Sequence, residues 1–129
     1  MSILKVYRGQ ALQTALNEII SPVEVIYVAV DRPEPDTLAN LAELGALTPY
    51  LSVTTRPSAP DASADRVIVR SHSGRELVFV GAPVGLELAA LVSAIIVAGR
   101  EDSGLLPETR QALRGLQQPV HLEVFTTPT

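Results

Sequence analysis

The chain has 129 residues, 47% of them hydrophobic and 19% charged, and its formal net charge at pH 7 is -4. The apolar fraction suffices for the core of one soluble domain, and the acidic balance argues against nucleic acid or an anionic membrane surface as a partner. The absence of cysteine excludes disulfides and thiol chemistry within these residues. Residues 1–5 do not resemble a signal peptide, and the longest apolar run, 88–99, is too short to span a bilayer, so we expect a cytoplasmic protein.

Hydrophobic periodicity and turn-forming residues predict alternating helices and strands along the whole chain. In chain order we predict a helix over 10–20, a strand over 23–30, a helix over 36–46, strands over 50–54, 66–71 and 76–80, helices over 84–98 and 107–116, and a strand over 120–126.

Several boundaries of these elements have a local physical cause. Pro22 disfavours helical geometry at the residue before it and is expected to end the first helix. Asp36 is the predicted N-cap of the second helix. Residues 72–75 form a predicted hairpin turn, and 56–63 form a predicted surface loop. The helix over 84–98 is apolar on nearly every face, so we expect it to be covered on more than one side, with its spare side against the helix over 107–116.

Three carboxylates, Asp31, Glu34 and Asp36, surround the start of the second helix. They are compatible with a carboxylate site, but the helix dipole and N-capping favour acidic residues at such a position without any catalytic role. We therefore favour a structural role for all three.

The remaining polar motifs also fit structural roles better than catalysis. The two histidines, His72 and His121, are about 50 positions apart, and neither has ligand partners at helical spacing, which argues against zinc or iron. Ser71 beside His72 lacks a nucleophile elbow and is expected in a turn. Gly81 and Gly85 do not have the spacing of a phosphate-binding loop. We assign no catalytic, cofactor-binding or metal-binding residue in this chain, and a small enzyme with an unrecognised site is the least favoured alternative.

Two segments in the second half of the chain carry a family resemblance. The first has the pattern Gly-x-Pro-x-Gly-x-Glu from Gly81 to Glu87, at a strand-to-helix junction, and the second covers 100–109 and precedes the tail 124–129. In this order and spacing they resemble the glutaredoxin-like protein disulfide oxidoreductases and the N-terminal domain of the flavoprotein subunit of alkyl hydroperoxide reductase. Both families consist of two fused thioredoxin folds. Leu86 stands where these families usually have a histidine.

The resemblance implies an α/β, thioredoxin-like fold with a central mixed sheet flanked by helices. Residues 1–100 would form a thioredoxin-like fold without Cys-x-x-Cys, 101–118 a linker helix, and 119–129 the first strand of a second thioredoxin fold whose Cys-x-x-Cys would follow. Within the first fold, the stretch matching a Cys-x-x-Cys is about 31–35. The position of the family's cis-proline falls on Arg66, where we expect a trans peptide bond because a non-proline cis bond costs about 2.5 to 4 kcal/mol.

The expected function is therefore that of a redox-inactive scaffold fold in a thiol-disulfide oxidoreductase. The absent thiols favour the reductase-subunit type over an active disulfide oxidoreductase. The chain would bind no cofactor and have no enzymatic activity by itself, whereas the resemblance implies that the full system contributes to redox homeostasis by passing electrons from a pyridine nucleotide through flavin and dithiols to a peroxidase. The expected partner is the second thioredoxin fold of the same protein.

An alternative is a stand-alone, non-catalytic interaction or dimerisation module. In this case a self-copy would bind through the strand from Val120 to Phe125, and we expect a homodimer with that strand between protomers, because an unpaired strand invites pairing.

Overall fold

The computed structural model describes residues 9–126, and the regular structure of these residues consists of four helices and four strands. The elements in chain order are α1 (Gly9–Leu16), β1 (Val23–Ala29), α2 (Pro35–Leu47), β2 (Leu51–Pro57), β3 (Arg66–Ser71), β4 (Glu76–Val80), α3 (Leu86–Arg100) and α4 (Pro107–Arg114).

The four strands form one mixed sheet in the order β2-β1-β3-β4. Strands β1 and β2 are parallel and are connected through α2, whereas β3 pairs antiparallel with both β1 and β4. The tight connection between β3 and β4 contains Gly74 with a φ of 86°, a conformation that favours glycine. Strand β1 therefore lies inside the sheet, and β2 and β4 form its edges.

One face of the sheet holds the hydrophobic core. Alternate side chains of β1 point to this face, as do their register partners Val67 and Val69 on β3. Buried side chains of α1, α2 and α3 cover it. The helix residues in this core cluster are Leu12, Leu16, Leu41, Leu44, Leu88, Leu91, Val92 and Ile95.

The second face of the sheet is buried at its centre and becomes exposed towards β4. Ile26, Ile68 and Val78 form one cross-strand row on this face. Ile26 is buried, Ile68 is half-buried, and Val78 and Val80 are exposed. An apolar surface is therefore open along the outer strand.

The C-terminal part of α3 packs closely against the chain that enters β1. The carbonyl oxygen of Gly99 accepts hydrogen bonds from the N–H groups of Ile20 and Ser21, at 3.0 and 3.1 Å, and from the Ser21 hydroxyl at 3.0 Å. A Cβ atom at position 99 would lie 2.5 Å from Ile19 Cγ2. Glycine therefore permits the contact between α3 and this turn.

Several predicted boundaries were wrong, including the end of the strand predicted over 50–54, which runs to Pro57, and two of the differences have clear local causes. Helix α1 ends at Leu16 rather than at residue 20, because the following N–H groups of Glu18 and Ile19 bond three residues back and tighten the chain into a turn. The N-cap of α2 is Glu34 rather than Asp36. Pro35 fixes the first helical position, so the cap lies directly before it.

The prediction that α3 would be covered on more than one side was also wrong. The helix leaves a stripe of side chains exposed along one face, comprising Leu86, Ala90, Ser93 and Val97. The expected partner, α4, buries none of its residues.

The chain beyond α3 contributes little to the core. From residue 101 to 126 every residue except Arg110 is exposed. Residues 120–126, predicted as a strand, belong to no sheet in the described part of the chain, because a strand requires a neighbour for its backbone hydrogen bonds. The division of the chain at residues 100 and 118 stays a prediction.

Candidate functional site

The loop between β1 and α2 is the place where the resemblance implies a dithiol, and a buried tyrosine organises it. Tyr27 lies near the end of β1 on the core face and its side chain is fully buried. Its hydroxyl donates a hydrogen bond to Asp65 Oδ2 at 2.5 Å and accepts one from the Glu34 N–H at 3.1 Å. The phenol thus connects the end of β1, the start of α2 and the loop before β3.

Asp65 also connects this network to the residue that follows β1 and to the residue that follows β4. Its Oδ1 accepts the N–H of Val30 at 2.9 Å, and its backbone carbonyl accepts the N–H of Gly81 at 2.6 Å. Asp65 directly precedes Arg66, the position at which the resemblance places the family's cis-proline. The peptide bonds of the described residues are all trans, including the one before Arg66, as expected.

Glu34 closes the N-terminus of α2. Its carboxylate accepts the N–H of Asp36 at 3.1 Å and the N–H of Thr37 at 2.6 Å. The hydroxyl of Thr37, which is buried, donates a third hydrogen bond to Glu34 Oε2 at 2.8 Å. Two of the amides that an α-helix leaves without intrahelical partners are therefore satisfied by one carboxylate.

These contacts shift two pKa values in opposite directions. The hydrogen bond from the Thr37 hydroxyl, together with the two amides, lowers the pKa of Glu34. Burial raises the pKa of Tyr27, and its hydrogen bond to Asp65 favours the neutral phenol further. At neutral pH the site thus combines an ionised Glu34 with a neutral Tyr27.

The structure shows which side chains lie at the helix N-terminus, where the resemblance implies a dithiol in related folds. A reactive thiol in such a centre lies at the helix N-terminus, where free amides stabilise the thiolate. In this chain that position is the N-cap, Glu34, and the residue three positions later is Thr37. The predicted stretch 31–35 includes the N-cap but stops before Thr37. Neither position can carry redox chemistry, since both side chains end in oxygen.

Sequence reasoning missed most of this network. The strand pattern marks Tyr27 only as an apolar strand residue, and nothing in the sequence marks Asp65, because no local pattern shows that residues 38 positions apart meet. For Glu34 a usable signal existed in Pro35, which favours the first position of a helix.

Of the other two carboxylates at this helix start, Asp36 lies in the first turn of α2 and Asp31 is exposed in the preceding loop. Asp31 does not join the Tyr27 network through any hydrogen bond found in the structure. It lines a cleft of about 260 Å³ with Pro33, Thr55 and Arg56. The capping interpretation of the acidic cluster therefore holds for Glu34.

The histidines and the serine pair have separate, exposed surroundings. His72 lies at the tip of the β3–β4 hairpin, and His121 pairs with Glu123 Oε1 at 2.9 Å. Ser71 Oγ lies 3.0 Å from Ser73 Oγ and accepts the N–H of Arg75, which is turn geometry. Among the residues from 9 to 126 no three histidine, aspartate or glutamate side chains form a group suited to a metal ion.

The motif from Gly81 to Glu87 also has a backbone role. Gly81 and Gly85 have φ values of 97° and 57°, in the left-handed region, so glycine allows the chain to turn from β4 into α3. Glu87 accepts a hydrogen bond from the Thr126 hydroxyl at 3.1 Å. No helix of the described residues is long and apolar enough to cross a membrane.

The sequence matches no protein-family model and no curated protein. Solved structures do resemble the chain. The alkylhydroperoxide reductase AhpF from Enterococcus faecalis V583, in a mutant form, is 18% identical, with a TM-score of 0.70 over 87% of this chain and 60% of that one. The NTD_N/C domain of AhpF from the same organism is 18% identical, with a TM-score of 0.68 over 83% and 57%.

A protein disulfide oxidoreductase from Aeropyrum pernix K1 is 26% identical, with a TM-score of 0.62 over 83% of this chain and 53% of that one. These similarities confirm the predicted thioredoxin-like fold and the predicted resemblance to the two groups of proteins. The chain spans between 53 and 60% of the length of these three structures.

Proposed function

We propose that this chain is a redox-inactive scaffold fold of a thiol-disulfide oxidoreductase, which positions a second fold that carries the dithiol. The parent would be of the alkylhydroperoxide reductase AhpF type or the protein disulfide oxidoreductase type. Flavin, pyridine nucleotide and peroxidase would act elsewhere in that system, which we place in the cytoplasm. The similarity to the structures from E. faecalis and A. pernix supports a fold related to thiol oxidoreductases.

The observation that carries the proposal is the carboxylate of Glu34 at the N-terminus of α2. It accepts the Asp36 and Thr37 amides that would otherwise stabilise a thiolate at this position. The Tyr27 hydroxyl then holds the backbone of Glu34 against Asp65. A site closed in this way supports a role in shape and packing rather than in electron transfer.

The first test is the coding DNA beyond codon 129, together with an activity assay. We expect the reading frame to continue into a Cys-x-x-Cys, and we expect the full protein, but not the 129-residue chain alone, to catalyse dithiol-driven reduction of insulin. A stop codon directly after position 129 would overturn the scaffold role. Reduction of insulin by the 129-residue chain would equally contradict it.

A second test asks whether Glu34 and Thr37 really occupy the positions of a dithiol. In the variant Glu34→Cys/Thr37→Cys, the thiol introduced at the N-cap should have a lowered pKa, because it gains the amides now bonded to Glu34. The matched control Asp31→Cys/Glu34→Cys has the same spacing, but its first thiol lies in the exposed loop before the cap. We expect alkylation below pH 8 to be about tenfold faster at position 34 of the first variant than at position 31 of the control. Equal rates would contradict the assignment.

Exposed apolar residues at one sheet edge support a second candidate function, an interaction or dimerisation module. Leu77, Val78 and Val80 on β4 are exposed, and so are Val124 and Phe125 near the end of the described chain. Exposed apolar side chains along an unprotected sheet edge favour association with another chain. A second thioredoxin fold and a second copy of this chain are the two partners we propose for it.

A further inference from the structure

The two edges of the sheet differ in how well they are protected against pairing with another chain. The C-terminal half of the edge strand β2 consists of exposed Thr54, Thr55 and Arg56 and ends at Pro57. Polar, charged and proline residues are the usual means by which proteins protect a sheet edge. Strand β4 has the sequence ELVFV, without proline or lysine, and four of its five residues are exposed. Strand β4 is therefore the edge suited to accept a further strand.

The hydrogen-bond register shows which backbone groups of β4 face outwards. The N–H of Ser71 bonds to the carbonyl of Arg75 at 2.8 Å, and the N–H of Gly81 bonds to the carbonyl of Asp65 at 2.6 Å. In an antiparallel pair such bonds recur at every second residue, so the odd-numbered residues of β4 face β3. The N–H and C=O groups of Glu76, Val78 and Val80 therefore point to the free edge.

The segment from Val120 to Phe125 has the properties of a strand without a neighbour. Its apolar residues Val120, Leu122 and Val124 alternate with His121 and Glu123, which is the period of a strand with one apolar face. Leu122 and Val124 are 84 and 85% exposed. Proline occurs at 119 and 128 but at no position between them, so every residue of the segment has an N–H to donate.

We infer that the segment from Val120 to Phe125 of a second copy adds to the free edge of β4, so that two copies exchange these segments. This inference rests on the second function proposed above, and its failure would leave the scaffold role unaffected. Side chains opposite each other across a pair of strands share a face. The added strand would place Leu122 and Val124 beside Val78 and Val80, and would thereby extend the apolar row that begins at Ile26.

The surface available is in the range of a reversible dimer. Two exchanges of a short strand would give an interface near the lower limit of specific interfaces, which is about 1,200 Å². We therefore expect association in the micromolar range. The His121–Glu123 pair would lie on the opposite side of the added strand and remain accessible.

The test is sedimentation velocity of the 129-residue chain from low to high micromolar concentration, with three substitutions and one truncation. Val78→Lys and Val124→Lys each place a charge in the proposed interface, Thr54→Lys places the same charge on the opposite edge, and the truncation ends at Gln118. We expect the first two to raise the dimer dissociation constant about tenfold or more, the truncation to abolish the dimer, and Thr54→Lys to change it less than about twofold.

Hydrogen exchange of the wild-type chain provides a measurement that does not depend on the variants. The amides of Glu76, Val78 and Val80 should gain protection as the concentration rises, whereas those of Leu77 and Phe79, which already face β3, should not. A monomer at high micromolar concentration would overturn the inference. So would a dimer that persists without the segment after Gln118 or that is insensitive to Val78→Lys. Concentration-independent protection of the three outward amides would mean that the segment folds back within its own chain, which also contradicts exchange between copies.

Discussion

Replacing Tyr27 by phenylalanine removes a hydroxyl that connects β1, α2 and the loop before β3. The ring can stay in the core, so the change isolates the two hydrogen bonds. They are the bond donated to Asp65 at 2.5 Å and the bond accepted from the Glu34 N–H at 3.1 Å. Phenylalanine leaves the Asp65 carboxylate and the Glu34 amide with one partner fewer in partly buried surroundings.

The expected cost follows from the kinds of bond that are lost. A hydrogen bond to a charged group contributes about 1.5 to 3 kcal/mol and a neutral one about 1 kcal/mol, so Tyr27→Phe should lower the free energy of unfolding by about 2 to 4 kcal/mol. For a domain of this size that is a decrease in Tm of about 10 °C. Urea and thermal denaturation followed by circular dichroism measure both quantities.

The pH dependence gives a second signature of the same substitution. The pKa of Tyr27 is raised above 10.0 in the folded chain, mainly by burial. The neutral phenol therefore stabilises the fold fully below pH 10, and this contribution is lost as the pH rises from about 10 towards the folded-state pKa. The difference in stability between the wild type and Tyr27→Phe should shrink above pH 10.

The control is Tyr50→Phe, since Tyr50 is exposed and lies outside the network. We expect it to change stability by less than about 0.5 kcal/mol. If Tyr27→Phe were equally mild, or if its effect were the same at pH 7 and at pH 11, the hydroxyl would not hold the three segments together and the proposed closed site would be wrong.

Three further predictions concern α2, α3 and their ends. Glu34→Gln should destabilise the chain by about 0.5 to 2 kcal/mol at pH 7. Because the folded pKa of Glu34 lies below its ordinary value of 4.5, this difference in stability should vanish as the pH falls through the folded pKa. Urea titrations at pH 7, 5 and 3 measure it, and a constant difference would contradict the role of Glu34 as the cap. Gly99→Ala should destabilise by about 1 to 3 kcal/mol, because the new Cβ would lie 2.5 Å from Ile19 Cγ2. Gly45→Ala in α2 meets only an ordinary contact at 3.6 Å and should stabilise by up to about 1 kcal/mol, so equal signs in thermal denaturation would refute the close approach at Gly99. Glu101 ends α3 with a φ of 59°, and Glu101→Gly should raise the urea midpoint by an amount equivalent to about 0.5 to 1 kcal/mol.

Much of the fold could be predicted because the signals were local. The β3–β4 hairpin was predicted at its observed bounds, since two short apolar runs flank a turn that contains Gly74. The parallel β1–β2 pair follows from the strand-helix-strand order. The environment of α3 was predicted poorly. An apolar helix sequence indicates which side chains can be buried, but it does not show which other elements will pack against them.

The site was less predictable for a related reason. The sequence places acidic residues at a helix start, and capping explains them, but the choice between Asp36 and Glu34 depends on Pro35 occupying the first helical position. The contact between Tyr27 and Asp65 spans 38 positions and depends on the sheet order, so it follows only once β3 is known to lie beside β1.

The closed site also has a consequence for how stability and function are related in this chain. A reactive thiol at a helix N-terminus keeps its amides available to a charge that appears and disappears during catalysis, and such sites commonly reduce stability in favour of activity. Here the amides of Asp36 and Thr37 bond to a permanent carboxylate at neutral pH. The Tyr27 hydroxyl adds a neutral donor to Asp65 in the same cluster. These bonds should make the N-terminus of α2 a stabilising part of the chain, which fits the proposed scaffold role better than a role in electron transfer.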